Sequence, residues 1–289
     1  MTLIGILLAL LLERLLGHLP GWGRPVLFLA VMRGLHALAP QRLWRSLALP
    51  VLIVVPPAVL VWWGFGLIEG PIVRLLLSAA VLLLCLGPRD LAEDVHDLLQ
   101  ARAEGDAERA AQLARALQRG PQPGETHRSL VGALFVQSHE KLFGVLLWFF
   151  ALGPAGAVLY RLVSRLPRLL DETAPDSPAL RAADWLHAVL AWLPARVTAL
   201  VYGLAGSLDD ALAAWRQLWR EPEPEHGWRT QTWAVLAEVP SASLGAEEQG
   251  GAVVPASLEA LLTEVLRMQW RALLIMLAGF ALTTTGQLL

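Results

Sequence analysis

Cysteine and lysine are almost missing from this chain: Cys85 and Lys141 are the only examples of each in 289 residues. One thiol excludes an intramolecular disulfide framework and any cysteine-rich zinc site. One lysine, set between Glu140 and Leu142, excludes the Gly-Lys-Ser/Thr of a phosphate-binding loop. Charge is scarce too, at 17% of residues where a soluble domain carries roughly 25%. The net value of −2 supplies no basic field, so nucleic acid is not an expected partner. Gly-x-Ser-x-Gly, His-Glu-x-x-His and Gly-x-Gly-x-x-Gly are also absent, which removes the enzymes that announce themselves by short signatures.

What the chain has in excess is apolar surface: 55% hydrophobic residues and a mean hydropathy of +0.51. A membrane-crossing helix needs about 20 such residues in a row. Three runs qualify well: Leu47 to Leu67, Pro71 to Leu86, and Leu142 to Leu162, the last with Gly153-Pro154 at its centre. Pro50, Pro56 and Pro57 are tolerable in the first where neighbouring helices satisfy the freed carbonyls. Three weaker runs are Thr2 to Leu12, stopping at Glu13-Arg14, Trp185 to Gly206, holding His187, Pro194 and Arg196, and Trp270 to Leu289. No basic segment precedes the first run, so a cleaved secretory signal is not expected. The fold class is therefore all-α, a polytopic integral membrane helical bundle of four to six membrane segments with a cytoplasmic helical hairpin. The lipid bilayer is its first partner.

Loop arginines set the orientation. Gly17 to Ser46 carries four arginines and no acid, and Pro88 to Lys141 carries seven basic residues, so both belong in the cytoplasm. If all six runs cross, both termini lie outside; Arg161 to Asp184, with four arginines, then fits poorly unless the Leu142 segment re-enters at Gly153-Pro154. Pro88 to Gln118 reads as two helices broken at Gly105, with Asp106 capping the second. Ser207 and Asp210 form a capping box for an amphipathic helix bearing Trp215 and Trp219. Glu221 to Pro255 reads as an acidic loop in which Trp228 and Trp233 dock, and Leu258 to Arg271 leads helically into the last run. The whole, 1–289, is taken as one integral membrane domain, with 88–141 its cytoplasmic helical segment and 207–269 an amphipathic helix plus a variable acidic loop.

Three polar clusters could carry chemistry. Asp90, Asp94 and Asp97 share one helical face, beside Glu93 and His96, and carboxylates so placed suit Mg²⁺ held jointly with phosphate oxygens; a solvated acidic first turn, which the helix dipole favours, is the leading alternative. Ser138, His139, Glu140 and Lys141 stand just before an apolar run, either as acid–base or ligand-binding groups or as the point where a helix leaves the headgroups. Arg181, Asp184 and His187 recur every three residues ahead of Arg196, and a charge inside a membrane segment is a functional pointer unless it pairs structurally, for instance with Glu13 or Asp184.

These residues resemble the AmpE proteins, inner-membrane regulators of β-lactamase induction distantly related to the CobD/CbiB proteins of cobalamin biosynthesis. The carrying stretches are MTLIGILLALLLERLL, the hydrophobic hairpin, LFGVLLWFFALGPAGAVLYRL, and WLHAVLAWLPARVTALVYGLAGSLDDALAAW. The resemblance implies a multi-pass protein of the bacterial inner membrane, linked to peptidoglycan recycling and antibiotic response. A cytoplasmic muramyl amidase would be its partner. A pocket around Tyr160, Arg161, Arg181, Asp184, His187 and Arg196, with His139, Glu140 and Glu13, would bind a ligand or partner, with no resident cofactor. The CobD/CbiB relatives couple an amino-alcohol phosphate to a corrinoid carboxylate with ATP and Mg²⁺. Gly153, Gly156 and Tyr160, and Asp184, Pro194 and Arg196, match their motifs, whereas Arg161-Leu162-Val163-Ser164-Arg165 replaces their Lys-x-x-Asn-Thr-Leu-Asp-Ser. A ligase of that type, with Asp90, Asp94 and Asp97 on the metal, is the alternative reading. A muropeptide or lipid-linked precursor transporter, working as a homodimer, is another.

Overall fold

The computed structural model describes residues 2–16, 34, 46–86, 91–118, 127–220, 228–244, 248–249, 252–253 and 257–286. Apart from a two-residue β ribbon pairing Glu248 with Val253 and Gln249 with Ala252, the described secondary structure is helical. Among the described residues five stretches are long and apolar enough to cross a membrane: Leu49–Gly66, one beginning at Pro71, Leu130–Leu152, Pro178–Ala205 and Leu258–Thr284. This makes the chain a polytopic helical membrane protein.

Two compact units make up the chain, each discontinuous in sequence. The first, residues 1–89 and 144–191, holds α1 (Thr2–Leu16), α2 (Leu49–Gly66) and α3 (Pro71–Leu86). Leu49, Ile53 and Val54 of α2 pack against Val163, Leu166 and Leu170 of a later helix of this unit, and Ala179 and Ala183 complete the cluster. Gly5 of α1 lies against Leu75 and Ser78 of α3. Pro56 and Pro57 sit inside an unbroken α2. α1 as described has 15 residues, short of the length a crossing needs.

The second unit, residues 90–143 and 192–289, begins with α4 (Leu91–Ala103) and α5 (Ala107–Leu117). The break falls at Gly105, whose φ of 76° suits glycine, and Asp106 caps α5 by accepting from Arg109 N at 2.9 Å. α6 (His127–Ser138) runs through a π turn (His139–Phe143) into α7 (Gly144–Leu152), which belongs to the first unit. α8 (Pro154–Thr173) and α9 (Pro178–Ala205) follow, then α10 (Leu208–Arg220), α11 (Trp228–Ala242) and α12 (Leu258–Gly286). Asp210 N reaches Ser207 Oγ at 3.5 Å at the start of α10, as the capping pattern requires.

Two sequence expectations are corrected. The apolar run Leu142 to Leu162 is not one helix, because Gly153 adopts φ 67° and Pro154 restarts the chain as α8. The membrane-length helix is shifted upstream to Leu130–Leu152 and includes Ser138 to Lys141, whose polar groups find partners within the protein. The second correction concerns Glu221 to Pro255, read as loop. Its centre forms α11, where Ala234, Val235, Leu236 and Val239 are buried; burial of that apolar stretch outweighs the Gly, Pro and Ser on its flanks.

Candidate functional site

The densest buried polar cluster of the second unit surrounds the π turn. A π turn inserts one residue into a helix and is often found at functional positions. Its effect here can be read from two rings. Phe135 and Phe143, eight residues apart, would differ in direction by roughly 80° on a regular helix. Once the wide turn absorbs a residue, the remaining seven bring them within about 20°. Both rings then meet Tyr202 edge-on, with centroids at 4.7 and 5.3 Å.

The same rearrangement sets two adjacent polar side chains against α9. Ser138 Oγ lies 2.7 Å from Tyr202 Oη, and His139 Nδ1 lies 2.9 Å from Thr198 Oγ1. Thr198 and Tyr202 are four residues apart and so share a face of α9. All four residues are buried. Just before them, Gln137 Nε2 donates to the carbonyls of Leu117, at 2.5 Å, and Ala116, at 3.3 Å, and so closes the end of α5. Just after them, Lys141 Nζ stands 3.0 Å from Asp94 Oδ2 of α4, with side chains only 23% and 19% exposed. Asp97 is half-buried one turn along α4. Asp90 lies outside the described residues. Thr198 and Tyr202 belong to this site but to none of the three polar clusters of the sequence; two hydroxyls at helical spacing in an apolar helix are the signal that marks them.

Ser138 and Tyr202 are a closed pair, so their loss is not additive. Ser138→Ala strands a buried hydroxyl and is expected to cost about 1–3 kcal/mol, while the double variant Ser138→Ala/Tyr202→Phe recovers most of it. Thermal unfolding of the purified variants in detergent checks this.

Arg196, also in the second unit, is 8% exposed. Its guanidinium donates from Nη1 to the Trp192 carbonyl at 2.9 Å and lies 4.1 Å from the centroid of the Trp192 ring. Such local support from carbonyl and ring lets a cation sit in an apolar helix.

The other expected site residues lie in the first unit. Tyr160, fully buried on α8, packs so tightly on Gly144 that a Cβ there would enter its ring. Its ring centroid is 6.3 Å from that of buried His187 on α9. Asp184 is half-buried, Arg181 exposed, and Glu13 of α1 half-buried. Arg161 Nη2 donates to the Leu86 carbonyl at 3.1 Å, tying α8 to α3. Trp148 Nε1 donates to the Leu190 carbonyl at 3.1 Å. That carbonyl is the one Pro194 leaves without its helical N–H, so the indole makes the proline tolerable. Of the expected residues, Tyr160 and His187 are thus brought side by side in one unit, and Asp94 meets the Ser138 to Lys141 cluster in the other.

Long apolar helices carrying buried, mutually satisfied polar side chains define a multi-pass membrane protein with a polar interior. A model of the CobD/CbiB protein family matches residues 6–247, and the chain belongs to that family. The cobalamin biosynthesis protein CobD of Chromobacterium violaceum is 30% identical over 263 residues, covering 85% of this chain and 80% of the relative. A protein of the same name from Stutzerimonas stutzeri is 29% identical over 194 residues, or 64% of this chain and 63% of that one. No solved structure matches.

These matches correct the AmpE resemblance, since family and relatives alike are of the CobD type. The links to β-lactamase induction and to an amidase rested on that resemblance and go with it. The family match favours the ligase alternative over the regulatory reading.

Proposed function

We propose that this chain acts in cobalamin biosynthesis in the bacterial inner membrane, as an ATP- and Mg²⁺-dependent ligase that joins an amino-alcohol phosphate to a corrinoid carboxylate through an amide. The observation that carries the reading is the Lys141–Asp94 pair beside the π turn, with Asp97 one turn on. Family membership supports the substrate class. Among the described residues no group of three or more His, Cys, Asp or Glu side chains gathers to cage a metal. A magnesium nucleotide needs no such cage, because it takes one or two carboxylates and its own phosphate oxygens. The donor set therefore fits.

Asp94 and Asp97 would hold the metal, and Lys141 would hold a phosphate as a point charge. When bound, the nucleotide would supply the phosphoryl group that activates the carboxylate, leaving as ADP, and that phosphate would in turn leave as the amine nitrogen bonds the acyl carbon. For amide formation the incoming ammonium must lose a proton, and His139, its ring fixed by Thr198 at 2.9 Å, would be the acceptor among the imidazoles of this cluster.

The test supplies purified protein in detergent or membranes with a corrinoid carboxylate, an amino-alcohol phosphate, ATP and Mg²⁺, and looks for the amide by mass. The expected result is a conjugate that requires both ATP and Mg²⁺. Folded protein that forms none under these conditions overturns the reading.

A further inference from the structure

The first unit contains a cavity of about 720 Å³ that the proposed reaction does not use. Trp62, Trp63, Glu69, Arg74, Phe149 and Leu152 are among its walls. Gly66, Pro71 and Leu152, where membrane-length helices end or begin, all border it. The cavity therefore lies at a membrane boundary, where tryptophan is the preferred aromatic residue. Trp62 and Trp63 are 70% and 60% exposed.

Its polar groups are of both signs. Arg74 Nη2 donates to the carbonyls of Phe65, at 3.1 Å, and Ile68, at 2.8 Å, which anchors the guanidinium at the turn between α2 and α3. The arginine's other N–H groups make no hydrogen bond among the described residues, and Glu69 makes neither a hydrogen bond nor an ion pair there. The N-termini of α3 and α8, at Pro71 and Pro154, also face the cavity and favour an anion. A phosphate thus has an arginine and two helix ends. An ammonium has a carboxylate and two indole faces. An acyl chain has Phe149, Leu152 and Leu75.

We propose that this cavity binds a phospholipid with a zwitterionic phosphoethanolamine headgroup, its phosphate on Arg74 and its ammonium between Glu69 and the indoles. The presence of Glu69 selects against a purely anionic headgroup. The apolar wall selects a lipid over a soluble phosphate ester.

Native mass spectrometry of the full-length protein in detergent tests this, with palmitoyl-oleoyl phosphatidylethanolamine, the matching phosphatidylglycerol, and free O-phosphoethanolamine as probes. Retention of phosphatidylethanolamine is expected to exceed that of phosphatidylglycerol by about fivefold, the most that one exposed charge pair supplies. Glu69→Gln should remove the preference and Glu69→Lys should reverse it; the side chain is exposed, so both variants should fold. Three outcomes overturn the proposal: no headgroup preference in the wild type, a preference that survives both substitutions, or equal occupancy by free O-phosphoethanolamine. The last would assign the cavity to a soluble amino-alcohol phosphate.

Discussion

Gly156→Ala is expected to destabilise the first unit by about 3 kcal/mol or to prevent its folding. Gly156 lies in the first turn of α8, just after the Gly153-Pro154 break, where the chain doubles back against α7. A Cβ at this position would collide with the Trp148 carbonyl oxygen and lie 2.8 Å from Leu152 Cβ. The obstruction is backbone, which cannot rotate away as a side-chain tip would. Gly64, in the same unit, provides the control, because nothing lies within 4 Å of its Cβ position. Gly64→Ala should leave the melting temperature unchanged or raise it slightly. Equal melting of the Gly156→Ala variant and the wild type would show that α7 and α8 do not approach this closely.

Lys141→Met is expected to lower kcat/KM for corrinoid amide formation by about 10²–10³, the loss typical of removing a charge that stabilises a transferring group. It also removes the Lys141 ammonium from the half-buried Asp94, so a drop in stability accompanies it. The double variant Asp94→Asn/Lys141→Met separates the two effects, since neutral partners no longer carry the desolvation cost. Melting should largely recover in the double variant, while coupling should stay as low as in Lys141→Met. Recovery of coupling along with stability would reduce the pair to a structural brace. Lys141→Arg, which keeps the charge but changes the donor geometry, should fall between these extremes.

Much of the helical arrangement was legible because hydropathy and helix punctuation are local. The start of the second run at Pro71 follows from proline's place in a first helical turn, and the break at Gly105 with its Asp106 cap follows from glycine conformation and one hydrogen bond. The span through Ser138 to Lys141 was not legible, because those residues look polar until Thr198, Tyr202 and Asp94 are brought to them from 47 to 64 positions away. Partners that distant leave no mark in a local window. α11 was obscured differently: its apolar centre is short, and the prolines and glycines around it dominate the composition. Within the candidate site, the sequence marked Asp94, His139 and Lys141 as chemistry-bearing groups. The π turn that aligns Ser138 and His139 with one face of α9 has no sequence signature of its own.

The interleaving of the two units imposes an order on their synthesis. Residues 90–143 are made before residues 144–191, yet they pack with residues 192–289. The first unit has all its parts once Ala191 is joined, before any of residues 192–289 are made. At about 5–20 residues per second, α4, α5 and α6, complete at Ser138, therefore wait about 4–14 s for the start of α10 at Leu208 and about 7–30 s for the end of α12 at Gly286. During that interval the face of Ser138 and His139 has α9 as its earliest partner, because Thr198 and Tyr202 emerge well before α11 and α12. The buried hydroxyl and imidazole pairs that organise the finished site are thus also the first contacts that residues 192–289 offer to the waiting helices.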